Sequence, residues 1–269
     1  MPEHPLRCGP RDRTERALEV QEGSRVVSRV QRGLRVMAAV GAVALLMSSS
    51  GCAESAPPPR VAVKDAPANP PRFTLAKPGE GGLTPGAKWP KACDLITDSD
   101  VRAILPAATA IDHHGLKAEI EVTEHVRLAR LRRMRVPQRS CRIEFDLPRQ
   151  EDVGPAGSST RIQIDLDAVG TPKVAQMNYD EVGDVVDSGG AGECHRIADS
   201  NYGCRTGGVV FTLDGSTAPD LRFEGQQGET TTFYGRHVLH EFVKLLLAKL
   251  RGAWFREARG GPASPDKTL

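Results

Sequence analysis

The residues of this 269-residue chain with the clearest chemistry are its cysteines. Beyond the N-terminal region there are four of them: Cys93, Cys141, Cys194 and Cys204. An even set of cysteines indicates two disulfides where a chain reaches an oxidising compartment, and four cysteines allow three pairings. We favour Cys93–Cys141 and Cys194–Cys204, because the second pair flanks a predicted turn. A zinc site at Cys194, His195 and Cys204 is the alternative, but the chain has no Cys-x-x-Cys pair, so we predict neither a metal site nor a cofactor.

Histidine patterns do not support a catalytic site. His237 and His240 are three residues apart and Glu241 follows them, whereas helical zinc proteases need histidines four apart with Glu between them, or the inverse order. The pair His113-His114 is more typical of a turn than of a metal site. The chain also contains no Gly-x-Ser-x-Gly motif. We therefore predict no catalytic residues and a protein that is not an enzyme.

Five arginines form the strongest local charge feature: Arg127, Arg130, Arg132, Arg133 and Arg135. Such a run is a candidate contact for anionic headgroups or wall polymers. The alternative is a solvated face that is balanced by Glu119, Glu121 and Glu124. The formal net charge of +2 falls to about −1 when residues 1–51 are left out, which excludes a general attraction to nucleic acid.

The N-terminal region has the pattern of an export signal. An uncharged apolar run of twelve residues, 36–47, follows four arginines and precedes Ser49-Ser50-Gly51-Cys52. As a helix this run spans about 18 Å, too short for a hydrocarbon core of about 30 Å. The small residues before Cys52 resemble a bacterial lipobox, with Ser49 where Leu is usual. We predict cleavage before Cys52 and a lipid anchor there, on the outer face of the cytoplasmic membrane; plain secretion is the alternative.

The remaining chain divides by composition. Residues 1–51 are the predicted signal peptide; a true start downstream of residues 1–24 is the alternative. Residues 52–88, rich in Pro, Gly and Ala, are predicted to be a flexible tether. Residues 89–257 are predicted to form one domain, and residues 258–269 a disordered tail.

Periodicity within the domain predicts an α+β fold. Thr97 and Asp100 have the spacing of a capping box, which predicts a short helix after Thr97. Strands are predicted over 141–147, 160–169, 194–197 and 208–213, with a weaker preference for strand over 110–136. A short helix is possible over 172–183, and an apolar stripe predicts a long helix over 236–255. We therefore expect an antiparallel sheet with the short N-terminal helix and the long C-terminal helix packed on one face.

The segment from Lys91 to Leu105 (KACDLITDSDVRAIL) resembles the opening of a family of uncharacterised actinobacterial lipoproteins. In that family a Cys-x-Leu-(Leu/Ile)-Thr start leads a short helix, a second cysteine begins a later strand, as Cys141 does here, and a Gly-rich stretch precedes the last strands. The resemblance covers residues 89–250. It implies a signal peptide, a lipid anchor and a compact disulfide-braced α+β domain, and it assigns no catalytic residues.

Three functions are compatible with these patterns. The favoured hypothesis is a non-catalytic envelope lipoprotein, anchored in the bilayer through Cys52, that binds a ligand, a cell-wall polymer or a membrane-protein partner. The second is an envelope hydrolase or transferase with dispersed active-site residues, for which a polar cleft with clustered carboxylates and histidines would be diagnostic. The third is a sensor or inhibitor subunit of a membrane complex. Nucleic acid is not an expected partner.

Overall fold

One antiparallel sheet organises the part of the chain that a computed structural model describes, which comprises residues 59–125, 130–149 and 160–251. Within these ranges its seven strands are β1 (Thr109–Glu124), β2 (Arg130–Asp146), β3 (Thr160–Val169), β4 (Asp184–Val186), β5 (Glu193–Ala198), β6 (Asn201–Thr206) and β7 (Val209–Ser216). Their spatial order is β1-β2-β3-β7-β6-β5-β4. The predicted α+β class with an antiparallel sheet is confirmed.

Several predictions concern residues outside these ranges. They are the signal peptide, the anchor at Cys52, the tail over 258–269 and the first arginine of the charged run, Arg127. Among the described residues, no helix has the length and apolar character needed to cross a bilayer.

The two faces of the sheet differ in chemistry, because side chains alternate along each strand. On β3 the side chains of Ile162, Ile164 and Leu166 are fully buried, whereas Gln163 and Asp165 between them are only partly buried. We call these the core face and the polar face. The core face continues across the register, where Ile164 lies opposite Leu213 on β7 and opposite Cys141 on β2.

Short helices accompany the sheet. They are α1 (Ala92–Leu95), α2 (Asp98–Ile104), α3 (Pro172–Met177), α4 (Thr230–Phe233) and α5 (Leu239–Leu250), with 3-10 turns at Glu80–Gly82 and Gly86–Lys88. The side chain of Thr97 accepts a hydrogen bond from the Asp100 backbone, and Asp100 accepts one from the Thr97 backbone. This capping box satisfies two of the backbone donors at the start of α2, as the sequence predicted.

The C-terminal helix begins earlier than predicted. A π-helical turn, Tyr234–Val238, joins α4 to α5, so the helical segment runs from Thr230 instead of Arg236. The predicted apolar stripe is buried against the core face, where Leu239 lies close to Gly215 of β7 and Leu247 close to Gly192. Close packing at glycines lets α5 approach the sheet, since neither position carries a side chain.

The predicted tether differs from the structure over its described part. Residues 59–88, which we call the strap, lie against the domain, and Val61, Leu75 and Leu83 are buried. The Val61 backbone donates to the Arg222 carbonyl at 2.7 Å and accepts from Glu224 at 2.9 Å. The Phe73 backbone donates to the Lys249 carbonyl at 3.0 Å. Isolated apolar residues in an extended Pro-rich segment have no helix or strand period, so the pattern that predicted a spacer did not detect them.

Two local predictions are corrected. The stretch Asn201–Thr206, assigned to a turn between strands, is strand β6, and its Tyr202 and Cys204 belong to the core face. His113 and His114, assigned to a turn, lie within β1. In both cases the strand contains Gly or Asn, which favour turns locally, but pairing with neighbouring strands determines the conformation.

Candidate functional site

The polar face of the sheet carries a cluster of charged side chains. Asp165 and Asp167 project from β3, and Thr212 and Asp214 project from the neighbouring strand β7, where Thr212 lies opposite Asp165. Arg139 reaches them from β2. Their common face follows from the two-residue period of the strands.

The centre of this cluster is the pair Arg139–Asp167. A guanidinium nitrogen of Arg139 lies 2.6 Å from Oδ1 of Asp167, and the Thr212 hydroxyl donates to Oδ2 at 2.7 Å. Arg139 also donates through Nε to the Leu166 carbonyl at 3.0 Å and lies 3.9 Å from Asp165. Because both oxygens of Asp167 have a donor, the side chain is fixed in position before any ligand arrives.

Two carboxyl groups of the polar face have perturbed acidity. Burial raises the pKa of Asp167, and the hydrogen bonds from Thr212 and Arg139 and the Arg139 charge oppose this shift without cancelling it. Burial also raises the pKa of Asp214, against the charge of Arg161 and with that of Asp165. Of these two acids Asp167 lines a cleft, and a perturbed acid in a cleft is typical of functional sites.

A cleft of about 360 Å³ opens beside Asp167. It is bounded by the hairpin arm, by which we mean residues 118–124 of β1 and 130–136 of β2, by the segment after α3, and by the sheet itself. The lining residues are Ile120, Glu121, Arg139, Asp167, Asn178, Tyr179, Asp180, Ile197, Gly203, Val210, Phe211 and Thr212. Its volume is in the range of small-ligand sites.

The cleft is preformed, because Asn178 ties the hairpin arm to α3. Oδ1 of Asn178 accepts from the Thr123 backbone at 2.8 Å, and Nδ2 donates to the Thr123 carbonyl at 3.0 Å and to the Val174 carbonyl at 2.8 Å. This amide therefore mimics a strand partner for β1. The arm is held over the polar face by hydrogen bonds that would otherwise go to water.

Tyr179 forms one wall of the cleft. Its hydroxyl donates to the Gly203 carbonyl at 3.4 Å, the Arg205 guanidinium lies 5.4 Å from its ring centroid, and the His195 ring lies at 5.8 Å. Burial, and next to it the charge of Glu193, raises the pKa of Tyr179 to about 12, so the phenol stays neutral at physiological pH. An aromatic side chain held in this way gives the cleft an apolar wall with a fixed orientation.

The described arginines of the predicted run lie on the hairpin arm, where acidic residues face them. Arg133 lies opposite Glu121 and pairs with it at 2.8 Å, while Arg132 pairs with Glu124 at 2.7 Å. Arg130 and Arg135 are exposed on the same arm. The cross-strand pairs offset part of the positive charge, as the solvated-face alternative expects.

The cysteines pair as favoured from the sequence. Cys93 in α1 is joined to Cys141 in β2, and Cys194 in β5 to Cys204 directly opposite in β6. His195 does not share a face with the second pair, because it follows Cys194 in the strand. The histidine that lies near sulfur is His113, beside the first pair.

The histidines of the C-terminal helix serve packing and hydrogen bonding. The His240 ring is hydrogen-bonded to the Asp187 carbonyl at 2.8 Å and stacks near Tyr202 at 6.4 Å. The His237 ring lies 4.5 Å from Phe233. Among the described residues, neither belongs to a group that could hold a metal ion.

Sequence reasoning did not find the cleft residues. The alternation Gln163, Asp165 and Asp167 in β3 does mark a polar face, but Arg139 is 28 residues away from Asp167 and no spacing links them. The comparisons with known proteins yield no matching family model, no similar characterised protein and no similar solved structure. The interpretation of the cleft therefore depends on its own geometry.

Proposed function

We propose that this chain is an exported, lipid-anchored envelope protein whose domain binds a hydroxyl-rich ligand, such as a cell-wall glycan segment, without transforming it. The observation that carries the proposal is the preformed cleft centred on Arg139 and Asp167. Export and anchoring rest on the apolar run, on the small residues before Cys52 and on the resemblance to actinobacterial lipoproteins.

The side chains of the cleft match a polyol better than an anion. Among the lining residues, Glu121, Asp167 and Asp180 are carboxylates and Arg139 is the guanidinium. Arg133 offsets the charge of Glu121 from outside the lining and Arg139 that of Asp167, so the cleft has no excess of positive charge to attract an anion. A sugar hydroxyl donates to carboxylates and accepts from a guanidinium or a hydroxyl such as that of Thr212. The apolar surface of a sugar ring fits against Ile197, which is exposed at the cleft, while Tyr179 and Val210 are buried beneath it.

The way Asp167 is held supports binding without turnover. A general acid or base needs an oxygen that is directed at the reacting atom. Both oxygens of Asp167 are already hydrogen-bonded, one to Arg139 and one to Thr212. The lining also contains no histidine among the described residues. Asp167 is therefore suited to positioning a ligand.

The test is titration of the ¹⁵N-labelled protein with soluble wall-derived oligosaccharides, followed by NMR. We expect saturable shifts that cluster at Asp167, Asn178 and Thr212, and a loss of affinity of at least about tenfold in Asp167→Asn, as for removal of a buried charge-assisted hydrogen bond. Asp184→Asn is the matched control, because Asp184 is 76% exposed and lies at the β4 edge. Shifts that are scattered or absent, or an equal effect of both variants, would refute the proposed ligand site.

One observation favours the second candidate, an envelope hydrolase. The raised pKa of Asp167 is a property that general acids share. The same oligosaccharides, incubated with the protein and separated by mass spectrometry, decide between the two. Cleavage that disappears in Asp167→Asn but persists in Asp184→Asn would replace binding by catalysis; intact oligosaccharides support the binding function.

The anchor has its own test. Mass spectrometry of the mature protein from membranes should give an N-terminus at Cys52 with the added mass of acyl chains, because two or more chains hold a protein stably on a bilayer. Cys52→Ala should abolish this modification. An unmodified N-terminus, or cleavage at another residue, would make the protein a secreted one.

A further inference from the structure

A histidine lies beside the first disulfide. One ligand atom each of Cys93, His113 and Cys141 lie within 4.8 Å of one another, and this is the one group of its kind among the described residues. Three elements converge here: α1, β1 and β2. His113 lies opposite Ile143 in the register, so it shares the face of β2 that carries Cys141.

Asp98 orients this histidine. Its Oδ1 lies 3.0 Å from Nε2 of His113, and a carboxylate can only accept, so Nε2 carries the hydrogen. In the neutral ring the lone pair is then on Nδ1. A carboxylate that fixes a histidine tautomer in this way is the usual outer partner of a metal-binding imidazole.

We propose that Cys93, Cys141 and His113 form a zinc site when the disulfide is open, with Asp98 as the outer partner of His113 and water in the fourth position. Two sulfurs on one tetrahedral Zn²⁺ are about 3.8 Å apart, given Zn–S distances of about 2.3 Å. The Cα atoms of Cys93 and Cys141 are 5.0 Å apart, which permits this separation by side-chain rotation alone. Cys141 is buried, whereas Cys93 and His113 are partly exposed and give the ion a path from solvent.

The metal and the disulfide exclude each other. Opening the disulfide takes two electrons and two protons from a dithiol reductant, which is itself oxidised to a disulfide. Each thiol then releases its proton when its sulfur binds Zn²⁺. The site is therefore available before the disulfide forms and after a dithiol opens it, and it is closed in the oxidised protein.

The second disulfide lacks this arrangement. Cys194 and Cys204 have no third ligand within the same distance among the described residues. His195 projects to the opposite face of β5 from Cys194, and its ring lies beside Tyr179 at 5.8 Å. The geometry therefore does not support a zinc site at Cys194, His195 and Cys204, and the zinc site that we propose lies at the first pair.

The test uses the full chain in detergent with Cys8, Cys52, Cys194 and Cys204 replaced by serine, so that only the first pair remains. After reduction with a phosphine, we expect one Co²⁺ per chain, with the thiolate-to-cobalt charge-transfer absorption of a tetrahedral site, and displacement of Co²⁺ by Zn²⁺. The oxidised protein should not bind. His113→Ala should weaken the affinity at least tenfold, and Asp98→Asn should weaken it about 10- to 100-fold.

His114→Ala is the matched control, because His114 is adjacent in β1, projects to the other face and is 49% exposed. Equal affinities of the His113 and His114 variants, or no stoichiometric Co²⁺ in the reduced protein, would overturn the proposal. Circular dichroism of the reduced protein shows whether the domain stays folded once the disulfide is open. If the reduced domain unfolds, Zn²⁺ must restore its spectrum, since a structural metal contributes folding free energy; failure to do so counts against the site.

Discussion

The ammonium nitrogen of Lys249 lies 2.5 Å from a carboxylate oxygen of Asp100. Both side chains are buried, with 3% of Lys249 and 9% of Asp100 exposed. Lys249 also donates to the Leu95 carbonyl at 3.0 Å. Asp100 is at the same time the N3 residue of the α2 capping box. The last turn of α5 is thereby joined to the start of α2 by a single charged contact.

Removal of the lysine should destabilise the domain strongly. Lys249→Met leaves the Asp100 carboxylate buried without its cation, and the loss of one partner of a buried pair costs about 3–5 kcal/mol. Urea unfolding measures this loss. Lys249→Met combined with Asp100→Asn should cost less than the sum of the single variants, because the uncompensated charge is gone. Arg102→Ala, at an exposed pair with Asp98, should change stability by no more than about 0.5 kcal/mol.

The same pair predicts a pH dependence. Burial alone would raise the pKa of Asp100, but the hydrogen bonds from Lys249 and Thr97 and the Lys249 charge outweigh it, so the pKa is lowered. A lowered folded-state pKa contributes stability above the unfolded value of about 3.9 and loses it as the pH falls through the folded value. The free energy of unfolding of the wild type should fall below about pH 4. Asp100→Asn should flatten this dependence, and parallel curves would contradict the assignment.

Asp167 should titrate in the opposite direction. Its raised pKa means that the folded protein binds the proton more readily than the unfolded chain, so this group adds stability as the pH falls below its folded-state pKa. Thr212→Val and Arg139→Gln each remove a group that favours the carboxylate, and each should raise the pKa further. Carbon NMR of the Asp167 carboxyl measures the midpoint. A midpoint below about 3.9 in the wild type, or a decrease in either variant, would be inconsistent with burial as the cause.

The two disulfides should differ in their contribution to stability. Their sequence separations are 48 and 10 residues. Chain entropy assigns about 4 kcal/mol to the longer loop and slightly under 3 kcal/mol to the shorter one. Denaturant unfolding of Cys93→Ala/Cys141→Ala and of Cys194→Ala/Cys204→Ala provides the comparison. The first variant removes one buried sulfur, that of Cys141, and the second removes two. A larger loss from the second pair would show that native-state packing, and not loop closure, dominates.

Gly235 should not tolerate a side chain. It lies in the π-helical turn, and a Cβ there would overlap with the carbonyl of Asp199. Its own carbonyl accepts from the Tyr202 hydroxyl at 2.7 Å, so the backbone cannot shift freely. Gly235→Ala should cost about 1–3 kcal/mol or more by overpacking. Gly79→Ala, where the nearest atom to a Cβ is 3.6 Å away, is the control and should be close to neutral.

The elements with local signals were predictable, and those defined by distant partners were not. The capping box of Thr97 and Asp100 and the alternation over 160–169 follow from nearest neighbours in the chain, so the sequence alone indicates α2 and β3. Strand β6 contains Asn201 and Gly203, which favour turns locally, and only pairing with β5 and β7 makes it a strand.

The candidate site could not be predicted from the sequence for the same reason. Arg139 and Asp167 belong to different strands, and their contact depends on the register of β2 with β3, which the sequence does not specify residue by residue. The sequence alone shows the arginine run. Its pairing with Glu121 and Glu124 depends on the register of β1 with β2, which the sequence does not give. The disulfide pairs could be favoured from sequence because one of them closes a short turn-containing loop.

The strap has a consequence for the order in which the fold can be completed. A chain leaves the ribosome or a secretion channel with its N-terminus first, so the strap emerges before most of its partners. The Phe73 backbone donates to the Lys249 carbonyl, and the Ala66 backbone donates to Glu241 at 2.8 Å, so both bonds wait for the last described helix. Contacts that span so much of the chain also slow folding. The strap is thus synthesised early in the domain but is among the last segments to dock. Truncation within α5 should therefore leave the strap undocked as well as the C-terminal helix incomplete.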